Sequence, residues 1–381
     1  MDKKKILFFY NNFYPAWKAG GPVQSLTNLA YALSGKISIS VICSGYELDE
    51  MKSQLSEIKL SHWNNIIGTQ TYYLNKNEHT FKKIKMLISE SSADTIYLNG
   101  LFSLPFVVYP LLVWKIYFTK QKKLILSPRG MLQEGALKVK PFKKTLFVNG
   151  LKLLGLFQNI SWHATDIQEA EDIRRHFGNN SCISIAPNIP KRPIDILKPI
   201  EKKAAGLRLV YLSLIVAKKN LHLALQLIKD LGLPLTFDIY GPVKDKKYWN
   251  DCLVLIESMP SDISVKYMGD VKPALVQGVF SNYHALFLPT NGENFGHAIY
   301  ECLSVGRPVI ISDTTPWRDL EKQHAGFDIA VNNRRNYKEA ITSLYNMDHS
   351  RYEKLCECAY NLASEYWNNN DFESAYMKMF N

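Results

Sequence analysis

Short apolar runs rich in β-branched and aromatic residues alternate with amphipathic segments from one end of the chain to the other, and this alternation constrains the fold more than any other feature. It is the pattern of βα units wound about parallel sheets. The first half predicts strands at residues 6–10, 37–43, 95–98, 124–127 and 160–164, with helices such as 23–33 and 167–177 between them. The second half restarts the pattern with strands near 207–212, 235–240, 265–268, 285–288 and 308–311. Between the halves, residues 187–205 hold four prolines and several lysines without clear periodicity, which predicts a linker. At 381 residues the chain exceeds one ordinary domain, so two Rossmann-like domains of about equal size are expected. The aromatic-rich stretch 352–380 reads as helical and suited to packing across both. Ligands of open α/β sheets bind beyond the carboxyl ends of the strands, so the loops there should carry the chemistry, in a cleft where the two sheets meet.

Several function classes recede on composition. The six cysteines are scattered, with no CxxC pair and no His/Cys cluster at zinc-ligand spacing, and read as thiols in a reducing compartment. Met-Asp-Lys-Lys-Lys leads straight into the strand at 6–10, too short for a signal-peptide apolar region, so a cytoplasmic location is expected. The most apolar run, 101–118, is broken by Pro105, Pro110 and Lys115; a buried helix is expected there rather than a membrane span, which needs about 20 clean apolar residues. Residues 76–152 carry 14 lysines and arginines against four acids, a net +10 of the chain's +11. A solvated face, nucleic acid or an anionic membrane could each account for that charge.

Two loops carry candidate chemistry. After the first strand, Asn11 to Pro22 places Gly20 and Gly21 at the entrance of a helix, where bare backbone can approach a ligand and amides can face an anion. No G-x-G-x-x-G follows the opening strand of either half, which argues against a dehydrogenase. In the second half, Gly292-Glu293-Asn294-Phe295-Gly296-His297-Ala298-Ile299-Tyr300-Glu301 begins after an apolar strand, passes through Gly296 and continues as a helix ending at Gly306. Glu293 belongs to the loop, next to free N–H groups near residues 295–298, and Glu301 lies about two turns down the helix, offering a carboxylate to a diol such as a ribose.

The Glu293-x7-Glu301 block, continuing Cys302-Leu303-Ser304-Val305-Gly306-Arg307-Pro308-Val309-Ile310, resembles the hallmark of retaining GT-B glycosyltransferases of family 4 (glycosyltransferase group 1). Supporting pieces follow the family's order along nearly the whole chain: Ala19 to Pro22, Ser127-Pro128-Arg129-Gly130-Met131-Leu132, His163-Ala164-Thr165 with Glu169-Ala170-Glu171, Pro187-Asn188, and Ser213 to Asn220. The resemblance implies an α/β fold of GT-B architecture, with two facing Rossmann-like domains and a cleft between them. It implies an acceptor-binding domain over 1–190, a nucleotide-sugar-binding domain over 191–365, and a C-terminal helix over 366–381 crossing back onto the first.

By the same resemblance, Glu293, His297 and Asn99 form the catalytic set. Gly20, Gly21, Lys219, Asn294, Phe295, Gly296 and Glu301 bind the donor, and Arg129 and His163 are acceptor-side candidates. Lys219 takes the lysine position of the family's diphosphate clamp, where it would meet charge growing on the departing nucleotide. Two positions depart from the family. The partner arginine is Leu214 here, so a bidentate phosphate contact is missing, with Lys218 a possible substitute. Many relatives carry histidine where this chain has Asn99, which can hydrogen-bond but cannot take a proton.

The implied reaction is transfer of a sugar from a nucleotide donor, a UDP-sugar ahead of a GDP-sugar, with retention and without cofactor or metal. The acceptor is expected to be a saccharide or lipid-linked saccharide of surface polysaccharide synthesis (O-antigen, capsule or exopolysaccharide). No nucleophile stands out, so a same-face route is expected in which the leaving phosphate assists deprotonation of the acceptor hydroxyl. The basic run would then face an anionic membrane on the inner side of the cell, and no nucleic-acid motif accompanies it. The rival readings are a sugar-nucleotide epimerase and, because of Leu214, a non-catalytic donor-binding or scaffold subunit.

Overall fold

A computed structural model describes residues 3–48, 51–137 and 141–381, and the chain divides into two compact units, Met1–Ile189 with Asp371–Asn381, and Pro190–Asn370. In the first unit, β1 (Lys5–Phe9), β2 (Ser38–Ser44), β3 (Trp63–Ile66), β4 (Thr69–Leu74), β5 (Thr95–Asn99), β6 (Lys123–Ser127), β7 (Ser161–Ala164) and β8 (Cys182–Ile185) form one sheet in the order β3-β4-β2-β1-β5-β6-β7-β8. Every pairing is parallel except β3 with β4. Ile6 to Phe9 and Ile96 to Leu98 are wholly buried because both faces of the sheet are covered, which is why these strands read as continuous apolar runs rather than alternating ones. The helix Gly21–Leu33 follows β1. Pro22 presets its first turn, and Val23, Leu26, Leu29, Ala30 and Leu33 recur every three or four residues as its buried face.

In the second unit, β9 (Arg208–Leu212), β10 (Leu235–Tyr240), β11 (Ile263–Gly269), β12 (Ala285–Leu288), β13 (Val309–Ser312) and β14 (Gly326–Ile329) form an all-parallel sheet in the order β11-β10-β9-β12-β13-β14. Its core gathers Val210, Phe237, Leu286, Phe287, Ile299, Ile310 and Tyr337.

The ten predicted strands are all present, and four were missed. β3 and β4 are an edge hairpin joined through Ile67 and Gly68, both at positive φ as a two-residue hairpin turn requires. Its outer strand, Trp-Asn-Asn-Ile, has no apolar run to betray it. β8 and β14 are also edge strands, short and only partly buried. Residues 104–118 are helical throughout, with π-type turns at Leu104–Val108 and Trp114–Phe118 flanking Tyr109–Val113. One face is buried through Phe106, Val107, Leu111 and Trp114, while Leu104, Ile116 and Tyr117 are exposed. Among the described residues no helix is long and apolar enough to cross a membrane. The predicted helical stretch 352–380 is two helices, His349–Asn369 in the second unit and Phe372–Phe380 in the first, with the break at Asn370 and the second helix capped by Asp371.

Candidate functional site

In the second sheet the strand order reverses between β9 and β12, and doubly wound sheets bind ligands at the carboxyl ends of such a pair. Lys219 ends the 3-10 turn Ala217–Lys219 after β9, and Glu293 lies in the loop after β12. Hydrogen bonds stitch the two loops together, among them one at 3.5 Å from Asn291 Nδ2 to the Ala217 carbonyl. Asn220 Nδ2 donates to the Pro289 carbonyl at 3.0 Å, the Asn291 N–H to the Lys218 carbonyl at 2.8 Å, and Thr290 Oγ1 to that same carbonyl at 3.3 Å. From the other side the Glu293 N–H donates to the Thr314 carbonyl at 3.3 Å, and Thr314 Oγ1 donates to the Thr290 carbonyl at 2.8 Å. At about 0.5–1.5 kcal/mol each, such bonds make the pair of loops one rigid lip. Lys219 Nζ and Glu293 Oε1 meet there as an ion pair, with side chains only 15% and 12% exposed.

The chain then turns at Gly296, whose φ is +80° and where a Cβ would lie 2.8 Å from Ile299 Cδ1, so glycine is required. The helix His297–Leu303 starts at this turn. Phe295 is pinned twice: its carbonyl accepts the Trp317 indole N–H at 2.7 Å, and its ring joins Tyr300, Trp317 and Tyr366 in a cluster with centroids 5.3–5.8 Å apart. His297 is buried with its ring edge-on to Phe295, and Asn294 is half-buried in the loop. Glu301 is buried on the helix, where Lys191 Nζ lies 3.3 Å from its Oε1 and also donates to the Pro273 carbonyl at 2.7 Å. Arg307, fully buried, ties the end of this helix to the preceding linker by donating to the carbonyls of Val305, Gly306, Leu197 and Lys198 at 2.9–3.1 Å. Leu214 occupies the β9 loop, half-buried, its carbonyl accepting from the Tyr211 hydroxyl at 3.3 Å.

In the first sheet the order reverses between β1 and β5. Gly20, at φ +82°, opens the helix Gly21–Leu33 with no side chain capping it. Asn99 ends β5 and is buried, its Oδ1 accepting from Arg129 Nε at 3.0 Å. Arg129 is a buried hub that also donates to Asn188 Oδ1 and to the Tyr97 hydroxyl oxygen, each at 2.8 Å. Its φ of +54°, costly for a side chain of this size, is held by these bonds. Burial opposes the Arg129 charge, but Tyr97, Tyr376 and Glu169 around it more than compensate and raise its pKa. Burial, with Arg129 adding to it, pushes His163 down to about 3, so its ring is neutral. Its Nε2 faces the Ala186 carbonyl at 2.8 Å and must donate, so Nδ1 accepts from the Tyr97 hydroxyl at 2.6 Å. A directed chain therefore runs Arg129 to Tyr97 to His163 to Ala186, with Glu169 beside it accepting from the N–H groups of Gly130 and Thr165. Arg129 and His163, expected on the acceptor side, have these nitrogens turned to internal partners that tie together the ends of β5, β6, β7 and β8.

The motif pattern singled out Lys219, Glu293 and Glu301 and ran through Arg307 without giving it a role; it did not reach Lys191 or Trp317. Lys191 lies in the aperiodic linker, where no spacing signals a role; Trp317 and Arg307 act on backbone carbonyls, which no side-chain pattern encodes. Among the described residues no three His, Cys, Asp or Glu side chains gather as a metal site.

Residues 195–362 match the family model of glycosyl transferases group 1. No curated protein matches the chain by sequence. Among solved structures the chain is similar to a sucrose-phosphate synthase from Thermosynechococcus elongatus (13% identity, TM-score 0.71, covering 99% of this chain and 97% of the other). It is also similar to HepE from Anabaena in complex with UDP-glucose (14%, 0.71, 98% of each) and to WaaG, a glycosyltransferase involved in lipopolysaccharide biosynthesis (12%, 0.65, 98% of each). The fold is that of the GT-B glycosyltransferases, built on two Rossmann-like parallel sheets.

Proposed function

We propose that the protein is a retaining, metal-independent glycosyltransferase that moves a sugar from a nucleotide donor, a UDP-sugar first, to a saccharide or lipid-linked saccharide of surface polysaccharide synthesis. The second unit takes the donor and the first the acceptor. The observation that carries the reading is the Lys219–Glu293 pair on the stitched loops at the β9/β12 switch. A nucleoside diphosphate competes for the lysine, which frees the carboxylate for sugar hydroxyls. Glu301 then meets the ribose diol, and the backbone at Asn294 to Gly296 meets sugar or phosphate. The UDP complexes solved for proteins of the same fold, HepE among them, favour the uridine donor, and the lipopolysaccharide role of WaaG favours the pathway class.

In the reaction the bond from the anomeric carbon to the diphosphate oxygen breaks as the acceptor oxygen bonds on the same face, and the acceptor proton passes to the leaving phosphate. Lys219 stabilises the charge that grows there. Asn99, fixed by Arg129, can orient a hydroxyl but takes no proton; His297 lines the loop beside Phe295. Arg129 and His163 are positioning residues. The protein acts on the cytoplasmic side, at an anionic membrane surface.

Leu214 favours a second reading, a non-catalytic donor-binding or scaffold subunit. Calorimetric titration with UDP separates the transferase from a scaffold that takes no donor, and release of nucleoside diphosphate from a nucleotide sugar separates it from a subunit that binds the donor without turning it over. Lys219→Ala should weaken binding at least tenfold and Leu214→Arg should tighten it, whereas wild-type affinity in both variants would move the assignment to a scaffold.

A further inference from the structure

The helix Pro141–Leu153 in the first unit is apolar on two faces, and only one of them is covered. Val148 and Leu151 point into the core of the unit. Phe142, Leu146 and Leu153 are 80%, 64% and 89% exposed, and Leu154, just past the helix end, is 68% exposed. At 100° per residue, positions 142, 146 and 153 fall within about 40° of one another, so the exposed side chains form a single stripe. A helix in water with two apolar faces wants a second apolar phase.

The charge around the stripe says which phase. Between Glu134 and Asp166 there is no acidic residue, while Lys138, Lys140, Lys143, Lys144 and Lys152 fall in that interval. Lys138 and Lys140 lie outside the described residues. Lys143 is exposed; Lys144 and Lys152 donate to the carbonyls of Ala136 and His176, which leaves their charge in place. Two copies of this chain meeting stripe to stripe would set this cationic segment against itself, since a two-fold interface brings identical patches together. An anionic bilayer offers apolar depth and opposite charge at once, and each lysine near such a surface adds to the attraction.

From these observations we infer that the helix Pro141–Leu153 inserts its Phe142, Leu146 and Leu153 stripe into the headgroup boundary of an anionic membrane. This deepens the membrane partner proposed above and does not depend on the donor chemistry. It also narrows the contribution of the basic run. Lys122 and Lys123 in that run donate to backbone carbonyls, Lys122 to Ser91 and Ala93 and Lys123 to Met379, and Lys83 pairs with Glu78, so these serve the fold as well.

The test is co-sedimentation of the full chain with vesicles of phosphatidylcholine alone or with about a third phosphatidylglycerol, at low and high salt. Wild type should bind the anionic vesicles, and Phe142→Asp/Leu146→Asp/Leu153→Asp should lower its partition coefficient at least tenfold while UDP titration stays unchanged. Single Leu146→Trp serves if the triple variant fails to fold: its added fluorescence should shift to the blue on anionic vesicles. A triple variant that sediments like wild type, or an unshifted Leu146→Trp, overturns the assignment. So does a wild-type dimer that ignores vesicles and becomes monomeric in the triple variant, which would give the face to a second copy. Vesicle binding without UDP binding would leave this inference standing and remove the donor site instead.

Discussion

Glu293 and Glu301 are each held by a lysine, but differently. Glu293 lies at the lip of two loops with Lys219, both mostly buried, and Glu301 is sunk in a helix with the more exposed Lys191 over it. A carboxylate at each place accepts hydrogen bonds that an amide accepts only in part. Glu293→Gln and Glu301→Gln should each lower turnover at least tenfold, the equivalent of about 1.4 kcal/mol or more, with melting temperature changed little. Wild-type turnover in both would remove them from the site. Both glutamates were legible because their spacing straddles a loop and the helix it starts. Lys191 was not, because its partner lies 110 positions away in sequence and only the fold brings the two together.

At the scale of elements, what holds a site in this chain is the joining of strand ends. In the second sheet it is done by backbone carbonyls and short polar side chains, in the first by the buried chain from Arg129 through Tyr97 to His163. The interior strands were legible from their apolar runs, β4 excepted, and so was the edge strand β11, whereas the edge strands β3, β8 and β14 lack such a run. His163 and Arg129 carried motif signals, but a pattern of side chains does not reveal that their partners are internal. Their burial has a consequence for stability. His163 has its pKa lowered from 6.5 to about 3, so between those values the unfolded chain holds one proton more than the folded one. Stability therefore rises with pH through that window and is lost on acidification, at about 1.4 kcal/mol per pH unit from this group. Urea unfolding followed from pH 6.5 to 4.5 should fall less steeply in His163→Gln than in wild type. Equal slopes would mean that the ring is not the buried neutral group described.

For the whole molecule, the restart of the βα pattern at mid-chain made two sheets legible; a helix over 366–381 crossing back was expected from the aromatic tail and the family resemblance, and the structure groups Asp371–Asn381 with the first unit. The same doubly wound plan is used twice, and each copy sets its candidate residues where strand order reverses. The second copy places the Lys219–Glu293 ion pair there, and this pair underlies the proposed assignment of donor to one unit and acceptor to the other. The charge of the chain follows the same division, with +10 of +11 in residues 76–152 of the first unit. The most direct test of the account is incubation of purified protein with a panel of nucleotide sugars, following release of the nucleoside diphosphate. Slow hydrolysis of one UDP-sugar, at least tenfold slower in both Lys219→Ala and Glu293→Gln, is the predicted result. Release from no donor, or release that both variants sustain at the wild-type rate, would contradict it.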